Sequence, residues 1–285
     1  MQEKSGSFVE WVIPLIFILC AGWIVWHLPA FTLDFLPPDA SQVDNLLGLH
    51  HRNDVTPSMS GPFEGEADWI DYLALIGIPF FFTIGMRTVR RAPMEFESLR
   101  RADRASVFIG RVTMMLIVLL TGVMIYEVLL RYVFEAPTLW ANELSLWLAG
   151  FVFLCAGLYA MQQRSHIRIY LLYDLCPRSV QRLFDCISTL LIIAFAFFLI
   201  YGGYGEALDK LHRWETFGTA FDPPIPATLK PMVLLIMALV ALQALVNLIS
   251  DWNLEPVVHT AADDIDEDEL ARLRAAVGAD DTTRE

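Results

Sequence analysis

Between Val107 and Leu183 the chain runs through two apolar segments, each long enough to cross a bilayer. A short link broken by Pro137 joins them, and a basic loop closes the stretch. About 20 predominantly apolar residues span the hydrocarbon core as a helix. Val107 to Leu130 supplies them with only Arg111 and Glu127 as charged members, one near each end. A second segment lies between Trp140 and Gln162. The link from Arg131 to Trp140 places Pro137 where a helix must break or begin, and sets a Tyr and a Trp where a membrane interface would lie. This is the pattern of a membrane hairpin, and the rest of the chain extends it on either side.

Composition agrees. Hydrophobic residues make up 55% of the 285, charged residues only 19%, and mean hydropathy is +0.48, well outside the soluble range. Once the apolar runs are placed in lipid, too little chain remains for a separate soluble core. The expected fold is therefore all-α, an integral membrane helical bundle with four core transmembrane helices plus two N-terminal ones. The net charge of −13 owes much to the tail from Ala261 to Glu285 and argues against nucleic acid as a partner. Cys20, Cys155, Cys176 and Cys186 form no CxxC pair and no metal-ligand grouping with His, which fits packing as small buried hydrophobes.

The remaining spans follow from the same reading. Phe8 to Leu28 is a retained span rather than a secretory signal, because its flank is not basic, the apolar run is too long, and Trp11, Trp23 and Trp26 bracket it. A polar loop rich in proline runs from Ala30 to Asp68. Trp69 to Met86 is a shorter span carrying Asp71 and Pro79. Pro93 to Arg104 reads as a helix lying on the membrane surface or as a solvated linker helix, with Glu early and Arg late to match the helix dipole. Ile187 to Tyr204 is ended by Gly202, Gly203 and Gly205, and Glu206 to Thr219 is a candidate short surface helix. Pro231 to Ile249 forms the last span. Three divisions result: an N-terminal extension over residues 1–104, a four-helix membrane domain over 105–250 and an acidic tail over 251–285.

Counting Lys and Arg in the connecting segments orients the chain. With six spans and the N-terminus inside, fifteen lie on the inner side and five on the outer. This predicts a multi-pass protein of the bacterial inner membrane with both termini cytoplasmic.

No Walker loop, Ser-His-Asp arrangement or HExxH motif occurs, and the histidines fall in loops, tail or the edge of a span, unsuited to a haem between helices. The sequence therefore points to no enzyme and names no catalytic, cofactor-binding or metal-ligating residue. Ionisable residues are also missing from the middles of the runs, where an ion path would leave them. Glu127 and Arg131, at i and i+4, read as a pair anchoring a helix end. Gln243 and Asn247 share one face of the last span, and amides in lipid need partners, so they read as interhelical hydrogen bonds and candidate partner contacts.

Several short motifs carry a further reading. Arg131-Tyr-Val-Phe134, then Trp140-Ala-Asn-Glu143, then His166-Ile-Arg168-Ile169 before Leu171-Leu172, set among four apolar runs, resemble the small membrane subunit of tripartite ATP-independent periplasmic (TRAP) transporters, the DctQ-like component. The resemblance extends from about Ala105 to about Ile249. Two positions depart from the family pattern: Asn142 replaces the first Glu of a Trp-x-Glu-Glu motif, and Tyr170 stands where an Asp commonly follows. The resemblance implies a non-catalytic subunit in membrane lipid that supports a large multi-span permease subunit. A soluble periplasmic substrate-binding protein would deliver an organic anion, a carboxylate or dicarboxylate, for sodium-coupled symport. It marks Arg131, Trp140, Glu143, His166 and Arg168 as motif or partner-contact residues. Trp140 and Glu143 also fit a plain helix start, with an interfacial anchor and an acid in the first turn. The alternative is a structural or electron-transfer subunit of another membrane complex.

Overall fold

The computed structural model describes residues 8–29, 31, 69–92, 95–96, 100–164, 173 and 176–253. The expected loop over 30–68, apart from Phe31, lies outside them, as do the tail beyond 253, His166 and Arg168. Among the described residues there are six long helices and no strand: α1 (Phe8–Trp26), α2 (Trp69–Thr88), α3 (Asp103–Tyr132), α4 (Ala141–Gln162), α5 (Arg178–His212) and α6 (Ile225–Asp251). All six are long and apolar enough to cross a membrane. An apolar run in lipid has no water to satisfy its peptide groups, so it closes its own hydrogen bonds as a helix. The result is an all-α membrane bundle, as the hydropathy pattern predicts.

Helix ends depart from expectation in three places. Gly202, Gly203 and Gly205 do not end α5, which continues through them to His212 and absorbs the first half of the short helix expected over Glu206 to Thr219. Glycine weakens a helix by about 1 kcal/mol relative to alanine, too little to stop one held by lipid. Gly203 also lies where a side chain would crowd Leu234. α6 starts six residues before Pro231, at Ile225, with Pro226 in the first turn, where a missing N–H costs nothing. At 92–100 the described residues Ala92, Glu95, Phe96 and Arg100 are not helical, so the helix expected from Pro93 to Arg104 is not formed there and α3 begins at Asp103.

Contacts divide the chain into two units. The first contains residues up to 166 together with 189–247, so the N-terminal helices and the four-helix stretch share one unit. α1 packs chiefly on α2, and both reach α3. Phe17 and Phe82 meet Phe108 edge-on at 5.5 and 5.7 Å between ring centroids. Phe108 fits because Gly85 stands opposite; a Cβ there would lie 2.2 Å from its ring. Near the other end of this helix pair, the buried carboxylate of Asp71 accepts the indole N–H of Trp23 at 2.8 Å. α3 and α4 pack along each other, and α4 and α6 share a core of Cys155, Leu158, Met161, Ile236, Val240 and Ala244. Cys155 thus packs as expected of a small hydrophobe.

In the second unit, residues 167–188 and 248 onward, Tyr173 donates to Asp185 at 2.8 Å and Arg178 donates to the carbonyl of Asp251 at 2.7 Å. The guanidinium of Arg182 lies over the Trp252 ring.

Two glycines of α3 give a paired test. A Cβ at Gly110 would sit 2.4 Å from the Tyr159 ring, whereas Gly122 has open space. Gly110→Ala is expected to lower the thermal unfolding midpoint in mild detergent, by an overpacking cost of about 1–3 kcal/mol. Gly122→Ala should leave the midpoint unchanged or slightly raised.

Candidate functional site: the hairpin end and the buried amide cluster

The link between α3 and α4 is held by one carboxylate. Glu127, 2% exposed, accepts Nε and Nη2 of Arg131 at 3.0 and 2.5 Å on one oxygen. Its other oxygen accepts the backbone N–H of Thr138 at 3.0 Å and the Thr138 hydroxyl. α3 ends with Glu135 in the left-handed region (φ 53°), which turns the chain so that the Ala136 N–H returns to the Leu130 carbonyl at 2.9 Å. The pair expected to anchor a helix end therefore fastens the whole link. It presents Tyr132, Val133, Phe134 and Leu139 exposed, with Trp140 half-buried 6.0 Å from the Tyr126 ring.

Glu143 does more than occupy the first turn of α4. Its Oε2 accepts the backbone N–H groups of Phe221 and Asp222, each at 3.1 Å, and so fastens the α5–α6 loop to the same end of the molecule. That loop turns through positive φ at Trp214, Gly218 and Asp222. Gly218 donates its N–H to Asp222, and Trp214 is buried with Leu211 and Ala227. One turn along α4, the Trp147 indole donates to the Thr228 hydroxyl at 2.8 Å, and a Cβ at Gly150 would lie 2.4 Å from Leu229.

At the opposite end, Gln243 and Asn247 do form interhelical hydrogen bonds, but within this chain. Gln243 Nε2 donates to Asp103 at 3.0 Å and to the Asn247 side-chain carbonyl at 2.9 Å. The Ser106 hydroxyl donates to Gln243 Oε1 at 2.7 Å, and Asn247 Nδ2 donates to the Met161 carbonyl at 2.7 Å. Both amides are buried and Asp103 is fully so. These bonds join α3, α4 and α6, as expected of interhelical hydrogen bonds.

Sequence reasoning missed a second polar lock at this end. Glu95 is buried, pairs with Arg111 at 2.8 Å, accepts the Tyr159 hydroxyl at 2.7 Å and accepts the Ala92 N–H at 2.7 Å. Gly110 makes room for the Tyr159 ring. The only signal in the sequence was an arginine set into an apolar run; its partner lay in a segment that read as a surface or linker helix. Among the described residues no group of three or more His, Cys, Asp or Glu could hold a metal ion. The geometry as a whole joins helices and loops and presents an exposed apolar end.

Residues 120–254 match the family model of the DctQ component of tripartite ATP-independent periplasmic transporters. This stretch is similar to a DctQ component. The match begins inside α3, fifteen residues after the start of the resemblance noted in the sequence, and takes in the hairpin end, α4, α5 and α6 while leaving α1 and α2 outside. A curated relative is the sialic acid TRAP transporter permease protein SiaT of Haemophilus influenzae (strain 86-028NP), 26% identical over 122 residues, which are 43% of this chain and 20% of that protein. The chain thus spans about one fifth of its relative's length. No solved structure matches. The six apolar helices and the similarity over 120–254 indicate a multi-pass inner-membrane protein.

Two substitutions test the two ends. Glu143→Ala should free the α5–α6 loop, read as faster labelling of a cysteine placed at Thr219, with Glu143→Gln largely restoring the slow rate. Gln243→Leu strands the carboxylate of Asp103 and the hydroxyl of Ser106. It should lower detergent stability by about 1–3 kcal/mol in thermal unfolding.

Proposed function

We propose that this chain is the small, non-catalytic membrane subunit of a TRAP-type secondary transporter. It supports a large permease subunit in sodium-coupled uptake of an organic anion delivered by a periplasmic binding protein. The carrying observation is the DctQ match over 120–254, which coincides with the helices whose ends are locked by Glu127, Glu143 and Gln243. The SiaT relative supports the large partner, because there the matched stretch is a fifth of one much longer permease chain. Its name, a sialic acid permease, supports a carboxylate as the substrate class. The fifteen-to-five division of Lys and Arg supports cytoplasmic termini.

In this reading the hairpin end, where Tyr132, Val133, Phe134 and Leu139 are exposed, supplies a contact with the large subunit. Packing rather than hydrophobic drive holds helices together in lipid, so a preformed surface favours assembly. Co-expression with a large TRAP permease chain and affinity purification provide the test. Phe134→Ala with Leu139→Ala is expected to reduce recovery of the large chain severalfold, and uptake in whole cells should require both membrane chains and the binding protein. Substrate flux from this chain reconstituted alone would overturn the subunit reading.

A further inference from the structure

Among the described residues at one end of the first unit, guanidinium groups outnumber the carboxylates. Arg87 lies in the last turn of α2, Arg90 and Arg91 follow it, Arg100 and Arg101 precede α3, and Arg104 and Arg111 lie in its early turns. Backbone contacts draw them together: Arg104 donates to the carbonyls of Met86 and Arg87 at 3.4 and 3.3 Å, and Arg111 donates to that of Arg90 at 3.0 Å. The described carboxylates at this end are Glu10, Glu95 and Asp103. Glu95 is engaged by Arg111 and Tyr159, and Asp103 is buried against Gln243 and the Arg100 N–H. Glu10 stands 3.4 Å from Arg90, whose side chain remains 59% exposed. Arg87 and Arg101 are both exposed, with no acidic partner among the described residues.

These side chains stand where apolar helices end, the level of a bilayer at which phosphates lie. A guanidinium presents a planar fork of donors that fits two phosphate oxygens. We propose that Arg87, Arg90 and Arg101 form a rim that binds anionic phospholipid head groups. Arg104 and Arg111 brace the rim from behind through their carbonyl contacts. The partner is lipid rather than a soluble anion because the rim borders the apolar ends of α2 and α3, so that acyl chains and phosphate are met together. This surface stands apart from the hairpin end and does not depend on the transporter reading.

The test uses the full chain in neutral detergent, titrated with phosphatidylglycerol or phosphatidylcholine of the same acyl chains. Retained lipid is counted by native mass spectrometry and thermal unfolding is followed in parallel. Phosphatidylglycerol should be retained and raise the midpoint, and phosphatidylcholine should do neither. Arg87→Gln with Arg101→Gln should weaken phosphatidylglycerol retention roughly tenfold or more, from the loss of two interfacial charges. Arg213→Gln with Lys230→Gln, at the other end, should leave it unchanged. Equal retention of the two lipids by the unaltered chain would overturn the proposal without any variant having to fold. So would an Arg87/Arg101 variant that retains lipid like the parent, or displacement of the lipid by millimolar inorganic phosphate, which would make this a soluble-anion site.

Discussion

A bilayer offers no hydrogen-bond partner, so each polar side chain carried into it must find one in the protein, and that requirement organises this molecule. Gln243 is the centre of the solution. One amide reaches Asp103, Ser106 and Asn247, and Asn247 passes the connection on to the Met161 carbonyl, so α3, α4 and α6 are registered against one another by directional bonds. Apolar packing alone discriminates poorly between registers when the surroundings are as apolar as the interface. The core of Cys155, Leu158, Ile236 and Val240 lies along the same α4–α6 seam and fills the space that these bonds define.

The opposite end uses charge in place of amides. Glu127 and Glu143 each accept two backbone or hydroxyl donors from a neighbouring loop, and Glu127 adds a bidentate arginine. Bonds to a charged acceptor are roughly twice as strong as neutral ones, and here they hold short connections rather than helices. The α3–α4 hairpin and the α5–α6 loop are therefore held against the helix ends instead of trailing from them. In the same unit, α1 and α2 cover Phe108 and Val112 on α3, a face that the DctQ match does not include.

Much of this was legible in the chain. The six spans could be read because hydropathy over about 20 residues is set by the membrane's thickness and needs no knowledge of tertiary structure. Gln243, Asn247 and the Glu127–Arg131 pair stood out for the same reason, as polar groups at or in apolar runs, whereas Glu143 was marked by the motif resemblance. What they bind was hidden. Gln243 meets Asp103 across 140 residues, and Glu143 meets two peptide N–H groups that carry no residue signature. Glu95 lay in a polar segment whose spacing suggested a helix, and only the tertiary pairing with Arg111 and Tyr159 reveals it as buried. The extent of α5 was misread because glycines that end helices in water are tolerated where lipid favours continued backbone bonding.

The length of α5 has a mechanical consequence. Its 35 residues make a rod of about 52 Å, against a hydrocarbon core of about 30 Å. Even a tilt of about 40° accommodates only some 39 Å of that rod within the core. At least two turns must stand clear of the oil, and both ends of the helix carry charge suited to do so, Arg178, Arg182 and Asp185 at one and Glu206, Asp209 and Lys210 at the other. A rod too long for the oil meets a change in membrane thickness by a change of tilt, and the α5–α6 loop that Glu143 holds leans with it.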